Sequence, residues 1–196
     1  ELKVLFDLVE NDHILKPAVY LAGTLGLRRG EITGLKWENV DFENRIIYIK
    51  EARVRAGNEI IAKKTKNISS TRKLAMSTIL YKKLCEVKSM RNDTSKNHAD
   101  DNNIGYVVID EKGDPINPAY LSARFGRFIK SHGLPHITLH GLRHSVASLG
   151  NYVGLTLFDI SKILGHGSVD TTGRIYMHTF ADTHSEALDK INDVLK

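Results

Sequence analysis

Apolar residues along this chain recur first at the spacing of a helix, then of a strand, then of a helix again. Leu2, Leu5, Phe6 and Val9 share one helical face, and a second helical run covers residues 15–24, with Gly26 just beyond as a stop. A third run over residues 29–37 carries Ile32, Leu35 and Trp37. The period then shortens. Residues 45–50 read RIIYIK, and β-branched, alternating character continues over residues 53–77. Turn signals at residues 56–58 and 67–70 divide this region into a small antiparallel sheet of three strands, whose second turn is rich in lysine and serine and therefore exposed and mobile.

Helical spacing resumes over residues 77–91, followed by a polar loop without periodicity over residues 92–103. Residues 106–110 form a short apolar extended segment, ended by Lys112-Gly113-Asp114-Pro115. Asn117 has the chemistry of an N-cap and Pro118 suits the first helical position, so a helix runs from there through Lys130. Beyond Gly133 and Pro135 the pattern predicts helices over residues 139–153, 156–164 and 169–176, then a terminal amphipathic helix with the stripe Ala187, Leu188, Ile191, Val194 and Leu195. The expected fold is α+β but mainly α: a helical domain with a small three-stranded antiparallel sheet.

Composition narrows the class. A chain of 196 residues with 41% hydrophobic positions suits one globular domain, and at this size roughly 70% of the unfolded surface is buried without disulfide staples. The single Cys85 excludes a disulfide framework and a thiolate zinc cage, and fits a reducing cytosol. No apolar run of about 18 residues is present, which excludes a membrane-spanning helix. Glu1 already stands inside a helical pattern, so the sequence reads as a fragment of a longer protein.

The net charge of +5 says little until it is located. Arg53, Arg55, Lys63, Lys64, Lys66, Arg72 and Lys73 fall within one stretch that holds a single acid, Glu59, and outside it acids and bases nearly balance. A positive field concentrated on one element fits a phosphate-bearing partner; a solvated hairpin rim would carry the same charges.

Four short segments carry candidate chemistry. In Gly26-Leu27-Arg28-Arg29-Gly30-Glu31, an arginine stands at a glycine-broken helix junction with Glu31 three residues on. In Lys63-Lys64-Thr65-Lys66, a lysine near a hairpin tip can reach a phosphate or a leaving oxygen as a point charge. In His140-Gly141-Leu142-Arg143-His144, two imidazoles and a guanidinium share one helical face, which suits a phosphate-like transition state. The two histidines also have the spacing of zinc ligands, although the glutamate expected beside the first is missing and an arginine lies between them. Last, Leu164-Gly165-His166 is followed ten residues later by Tyr176, whose phenol needs neighbouring cations to act as a nucleophile.

Taken in this order, the segments resemble the catalytic domain of tyrosine recombinases, the phage and transposon integrase family, across nearly the whole chain. The resemblance implies that Tyr176 attacks a scissile phosphate of double-stranded DNA, forming a 3′-phosphotyrosine and releasing a 5′-hydroxyl. It implies that Arg28 and Arg143 clamp the non-bridging oxygens and that Lys64 protonates the leaving oxygen, with Lys66 and Lys63 as alternatives. His140 would be a general acid/base near the tyrosine, His166 a phosphate ligand, and Glu31 a support for the basic groups. Lys63, Lys66, Arg72, Lys73 and His144 are expected to contact DNA. Neither metal nor other cofactor is implied, because the phosphotyrosine conserves the phosphodiester energy for rejoining. The resemblance further implies a cytoplasmic, DNA-associated protein of bacterial or phage origin and a homotetramer on DNA, with a monomer in its absence. Residues 1–196 would be the catalytic domain alone, without the amino-terminal DNA-binding domain. Type IB topoisomerases share the chemistry, and a regulator that has lost catalysis would share the fold; the short chain and the Leu-Gly-His segment favour a recombinase.

Overall fold

Helix α2 (Leu15–Leu25) forms the spine of the molecule, with all but one of its residues buried. The structure is a computed structural model that describes residues 2–57, 59–64, 72–94 and 105–165. Around α2 stand α1 (Leu2–Leu8), the short α3 (Arg29–Gly34), α4 (Thr78–Thr94), α5 (Pro118–Ser131), α6 (Leu139–Tyr152) and α7 (Leu157–Leu164). α2 packs on α4 and α6, and the core they share includes Leu21, Ile32, Leu80, Leu121 and Leu142. A smaller cluster of Ala147, Ile160 and Leu164 fixes α7 onto α6.

Local chemistry explains where the helices begin. Asn117 Oδ1 accepts from the Ala119 N–H at 2.8 Å with Pro118 behind it, as expected. Thr138 caps α6 by accepting from the Gly141 N–H at 3.0 Å. Thr156 and Asp159 form a reciprocal capping box at α7. Such caps contribute about 1 kcal/mol each.

The strands divide differently from the pattern. A three-stranded antiparallel sheet exists, but its order is β1 (Val40–Asp41), β2 (Ile46–Ile49), β5 (Arg72–Ala75). β3 (Glu51–Ala56) and β4 (Glu59–Lys64) form a separate antiparallel hairpin. Burial accounts for the division. Ile47, Ile49 and Leu74 face the core from β2 and β5, whereas β3 lies across α3, where a Cβ on Gly30 would stand 2.8 Å from the Arg53 carbonyl oxygen. Two-residue β1 is too short to register as alternation.

Elsewhere, α3 ends at Gly34, short of the expected end of the run at Trp37, which instead opens a 3₁₀ turn over Trp37–Asn39. The extended segment at residues 106–110 makes only isolated bridges, Lys36 with Tyr106 and Ile109 with Pro115. The turn at residues 67–70 and the helices over 169–176 and 187–195 lie outside the described residues. No helix among the described residues is long and apolar enough to cross a membrane.

Candidate active site

Two helices end at one place. α2 closes on Gly26 (φ 62°) and α7 on Gly165 (φ 67°), both left-handed. A side chain at either position would be strained by the positive φ and would displace a neighbour: a Cβ on Gly26 would lie 2.5 Å from Leu164 Cδ2, and one on Gly165 2.7 Å from Arg72 Nη1. The unsatisfied carbonyls at these ends carry the negative pole of each helix, and cations are favoured there.

Three arginines occupy that position. Arg143, on α6 and only 2% exposed, donates from Nη1 to the Gly26 carbonyl at 2.6 Å and from Nη2 to the Leu164 carbonyl at 2.7 Å. Arg28, the N-cap of α3, donates from Nη2 to the Gly165 carbonyl at 2.8 Å. Arg72, the first residue of β5, donates from Nε to the Ile163 carbonyl at 3.0 Å. Three consecutive carbonyls of the α7 end thus each accept from a different arginine.

Glu31 organises two of them. Its Oε1 accepts from Arg28 Nη1 at 3.0 Å and from Arg72 Nη1 at 2.9 Å. Its Oε2 accepts from the Arg28 backbone N–H at 2.8 Å and from Arg72 Nη2 at 2.9 Å. Burial alone would raise the Glu31 carboxyl, but the hydrogen bonds and charges of Arg72 and Arg28 hold it below the usual carboxylate range. Arg28 keeps 41% of its side chain exposed, while Arg72 and Glu31 keep 7% and 3%. Arg28 is therefore a guanidinium anchored through both Nη atoms on a side chain that stays partly open to solvent, a form suited to recognising an oxyanion.

His140 and His144 stand on the same face of α6 as Arg143, their rings edge to face with centroids 4.7 Å apart. Partial burial, then the positive charges of His144, Arg143 and Arg28, lower the His140 pKa, favouring a neutral imidazole at neutral pH. A neutral imidazole can exchange a proton with a phenol. Among the described residues no third histidine, cysteine, aspartate or glutamate completes a metal-binding group with this pair.

Of the residues singled out from sequence, Arg28, Glu31, Arg143, His140 and His144 share this region, and Arg72 joins them in an unexpected way. It is buried in the network, whereas an exposed, DNA-facing cation was expected. Lys73 is exposed, its Nζ 5.6 Å from the Tyr48 ring centroid. Lys63 is exposed on β4, paired with Ala52, and Lys64 closes that strand, paired with Glu51. Lys66, His166 and Tyr176 lie outside the described residues. The sequence pattern missed the carbonyls of Gly26, Ile163, Leu164 and Gly165. Their signal was present in the glycine that follows each helical run.

The profile of the phage integrase family matches residues 1–182. The chain is 28% identical over 195 residues to a XerC-like tyrosine recombinase of Caldanaerobacter subterraneus subsp. tengcongensis, covering 93% of this chain and 50% of that protein. It is likewise 28% identical over 200 residues to the ICEBs1 integrase of Bacillus subtilis, covering 100% of this chain and 53% of that protein. The chain thus spans about half the length of these relatives. Its fold matches the Tn1549 transposon integrase solved in complex with transposon right end DNA, with a TM-score of 0.79, 23% identity and coverage of 97% of this chain and 64% of that one. XerA recombinase gives a TM-score of 0.70 at 25% identity over 96% of this chain and 62% of that one. With the profile spanning most of the sequence, this chain belongs to the phage integrase family.

Proposed function

We propose that this chain is the catalytic domain of a site-specific DNA recombinase that cleaves and rejoins double-stranded DNA through a covalent tyrosine intermediate. The observation that carries this is the convergence of Arg28 and Arg143 on the ends of α2 and α7, beside His140. Fixed guanidinium groups need no reorganisation as charge builds on a phosphate, and they do for the transition state what metal ions do in many nucleases.

In the proposed reaction the Tyr176 oxygen attacks phosphorus, the bond from phosphorus to the 5′ oxygen breaks, and the phosphate becomes linked to tyrosine. His140 takes the phenolic proton. Lys64 gives a proton to the departing 5′ oxygen, and its place at the end of β4 sets it on the hairpin that α3 supports. His166 follows Gly165 directly in sequence, next to the carbonyl that holds Arg28, which supports a role on the same phosphate. Attack by a 5′-hydroxyl from another strand reverses the step and joins new partners. The protein is read as a DNA-associated homotetramer during exchange, with Lys63, Lys66, Lys73 and His144 on the DNA side.

The test uses the full-length protein and a nicked suicide DNA site, on which cleavage releases a short strand and traps the adduct. The wild type accumulates a covalent protein–DNA product and Tyr176→Phe gives none; an adduct with the phenylalanine variant overturns the nucleophile. Replacing the bridging 5′ oxygen by sulfur improves the leaving group, so Lys64→Ala recovers on that substrate. Recovery of Lys66→Ala in its place moves the acid to Lys66.

A further inference from the structure

Arg72 has the attributes of neither a surface DNA contact nor an ordinary ion-pair partner. Its guanidinium is nearly sealed from solvent, forks onto both oxygens of Glu31 at 2.9 Å, and turns its Nε to the Ile163 carbonyl at 3.0 Å. One side chain therefore joins β5, α3 and the end of α7. Gly165 packs against it so closely that a Cβ there would lie 2.9 Å from Arg72 Cζ. The fork geometry is specific to arginine, since a lysine ammonium cannot give two parallel bonds and a third to a carbonyl behind it.

The consequence falls on Arg28. Both Glu31 oxygens are shared, each accepting once from Arg28 and once from Arg72. Without Arg72, Glu31 would be a buried carboxylate with Arg28 as its one remaining guanidinium partner, and it would draw that group inward and neutralise it. With Arg72 present, two guanidinium groups share the one carboxylate, so the three groups together keep a net positive charge, with the Arg28 side chain 41% exposed. Resting on the function proposed above, we propose that Arg72 is a positioning residue for DNA cleavage: it saturates Glu31 and clips β5 to the α7 end, so that Arg28 presents its guanidinium to the scissile phosphate.

The experiment compares wild type, Arg72→Lys, Arg72→Gln and Arg28→Ala in the full-length protein on the suicide DNA. It measures DNA affinity across a salt series, single-turnover cleavage at saturating protein, and thermal unfolding. For the Arg72 variants that remain folded, the expected result is a cleavage rate lowered roughly 10–100-fold, the cost of displacing a positioned group by about 1 Å, with affinity and its salt slope unchanged. A methylphosphonate at the scissile position removes the charge that Arg28 meets, so it narrows the deficits of Arg28→Ala and Arg72→Lys together, which a fold defect would not do. Adding Arg72→Lys to Arg28→Ala lowers the rate little further, as for residues acting as one unit. The proposal is overturned if Arg72→Lys cleaves as wild type, or if it weakens DNA binding and reduces the salt slope by about 1 with saturated cleavage intact, the mark of a phosphate contact. Failure of the wild type itself to form an adduct would count against the recombinase function rather than against Arg72 alone.

Discussion

Two of the charge networks among the described residues are built on opposite plans. Between α1, α2 and α4, Lys16 Nζ lies 3.1 Å from Glu10 and 2.7 Å from Glu86, while Lys83 lies 2.9 Å from Glu10 and 3.2 Å from Glu86. Two ammonium groups meet two carboxylates, and Tyr20 adds its hydroxyl to Glu10 at 2.7 Å. At the other end of α2, three guanidinium groups are held by one carboxylate and four backbone carbonyls. The first network cancels its own charge and ties helices together. Among the described residues, the second offers its three cations one carboxylate and otherwise backbone dipoles, an arrangement that leaves positive charge for a phosphate to meet. Charges that balance one another serve the fold, and cations held mainly by dipoles can serve a ligand.

The sharpest way to break the second network is at Arg143. Arg143→Ala leaves the Gly26 and Leu164 carbonyls without their donor in a site that is 2% exposed around the side chain. We expect unfolding free energy to fall by about 3 kcal/mol and adduct formation to be lost. Arg143→Lys should keep most of the stability yet cleave about 10³-fold more slowly, the scale of one lost oxyanion donor. Denaturant melts and suicide-substrate trapping read the two effects separately; a lysine variant with wild-type cleavage would show that fork geometry is not needed.

Gly165→Ala comes next. It forces a side chain into a φ of 67° and into Arg72, and should cost about 1 to 2 kcal/mol. The same substitution at Gly154 (φ 86°), where a Cβ meets no atom within 4 Å, carries the backbone strain without the clash. A cleavage defect at Gly165 that Gly154→Ala lacks isolates the effect on the arginines. Equal cleavage by the two variants would remove Gly165 from the site.

The balanced network makes the contrasting prediction. Burial would raise the Glu10 carboxyl, but hydrogen bonds from Tyr20, Lys83 and Lys16 hold it at about 2 against an ordinary 4.5. A lowered folded pKa gives stability that is present above pH 4.5 and lost as pH falls toward 2. Glu10→Gln should therefore flatten the acid limb of the stability profile over that range and leave cleavage at neutral pH unchanged. A cleavage defect in Glu10→Gln would end the division between a network for folding and one for catalysis.

Much of the fold and of the site is legible in the amino-acid sequence, for identifiable reasons. Helix periodicity located α5, α6 and α7, because each buries one face, and the apolar run over residues 15–24 located α2; the N-cap at Asn117 bounded α5. The ordered motifs placed Arg28, Glu31, His140 and Arg143 in one site. The partition of the strands was not legible, because alternation fixes which face of a strand is buried and not which strand lies beside it. Arg72 was also illegible as a buried group. In a run of exposed bases a guanidinium that turns inward has the same local sequence as one that turns outward, and only the approach of α3 and α7 decides.

The finest test concerns His140, where the unbalanced field of the arginines acts on a titrating group. Partial burial first, and then the charges of His144, Arg143 and Arg28, keep its pKa below the ordinary 6.5. The folded protein therefore resists protonation of this ring. If neutral His140 takes the Tyr176 proton, cleavage should rise with pH along a limb centred below 6.5 and be level at neutral pH. His144→Gln removes one of the electrostatic influences that lower the His140 pKa, so the limb should move to higher pH with the plateau rate little changed. Shifting the limb requires no change in where Arg28 or Arg143 stands, so this variant separates the field of the site from its geometry. A limb that moves to lower pH, or that survives unchanged in His140→Gln, would assign the proton transfer to another group.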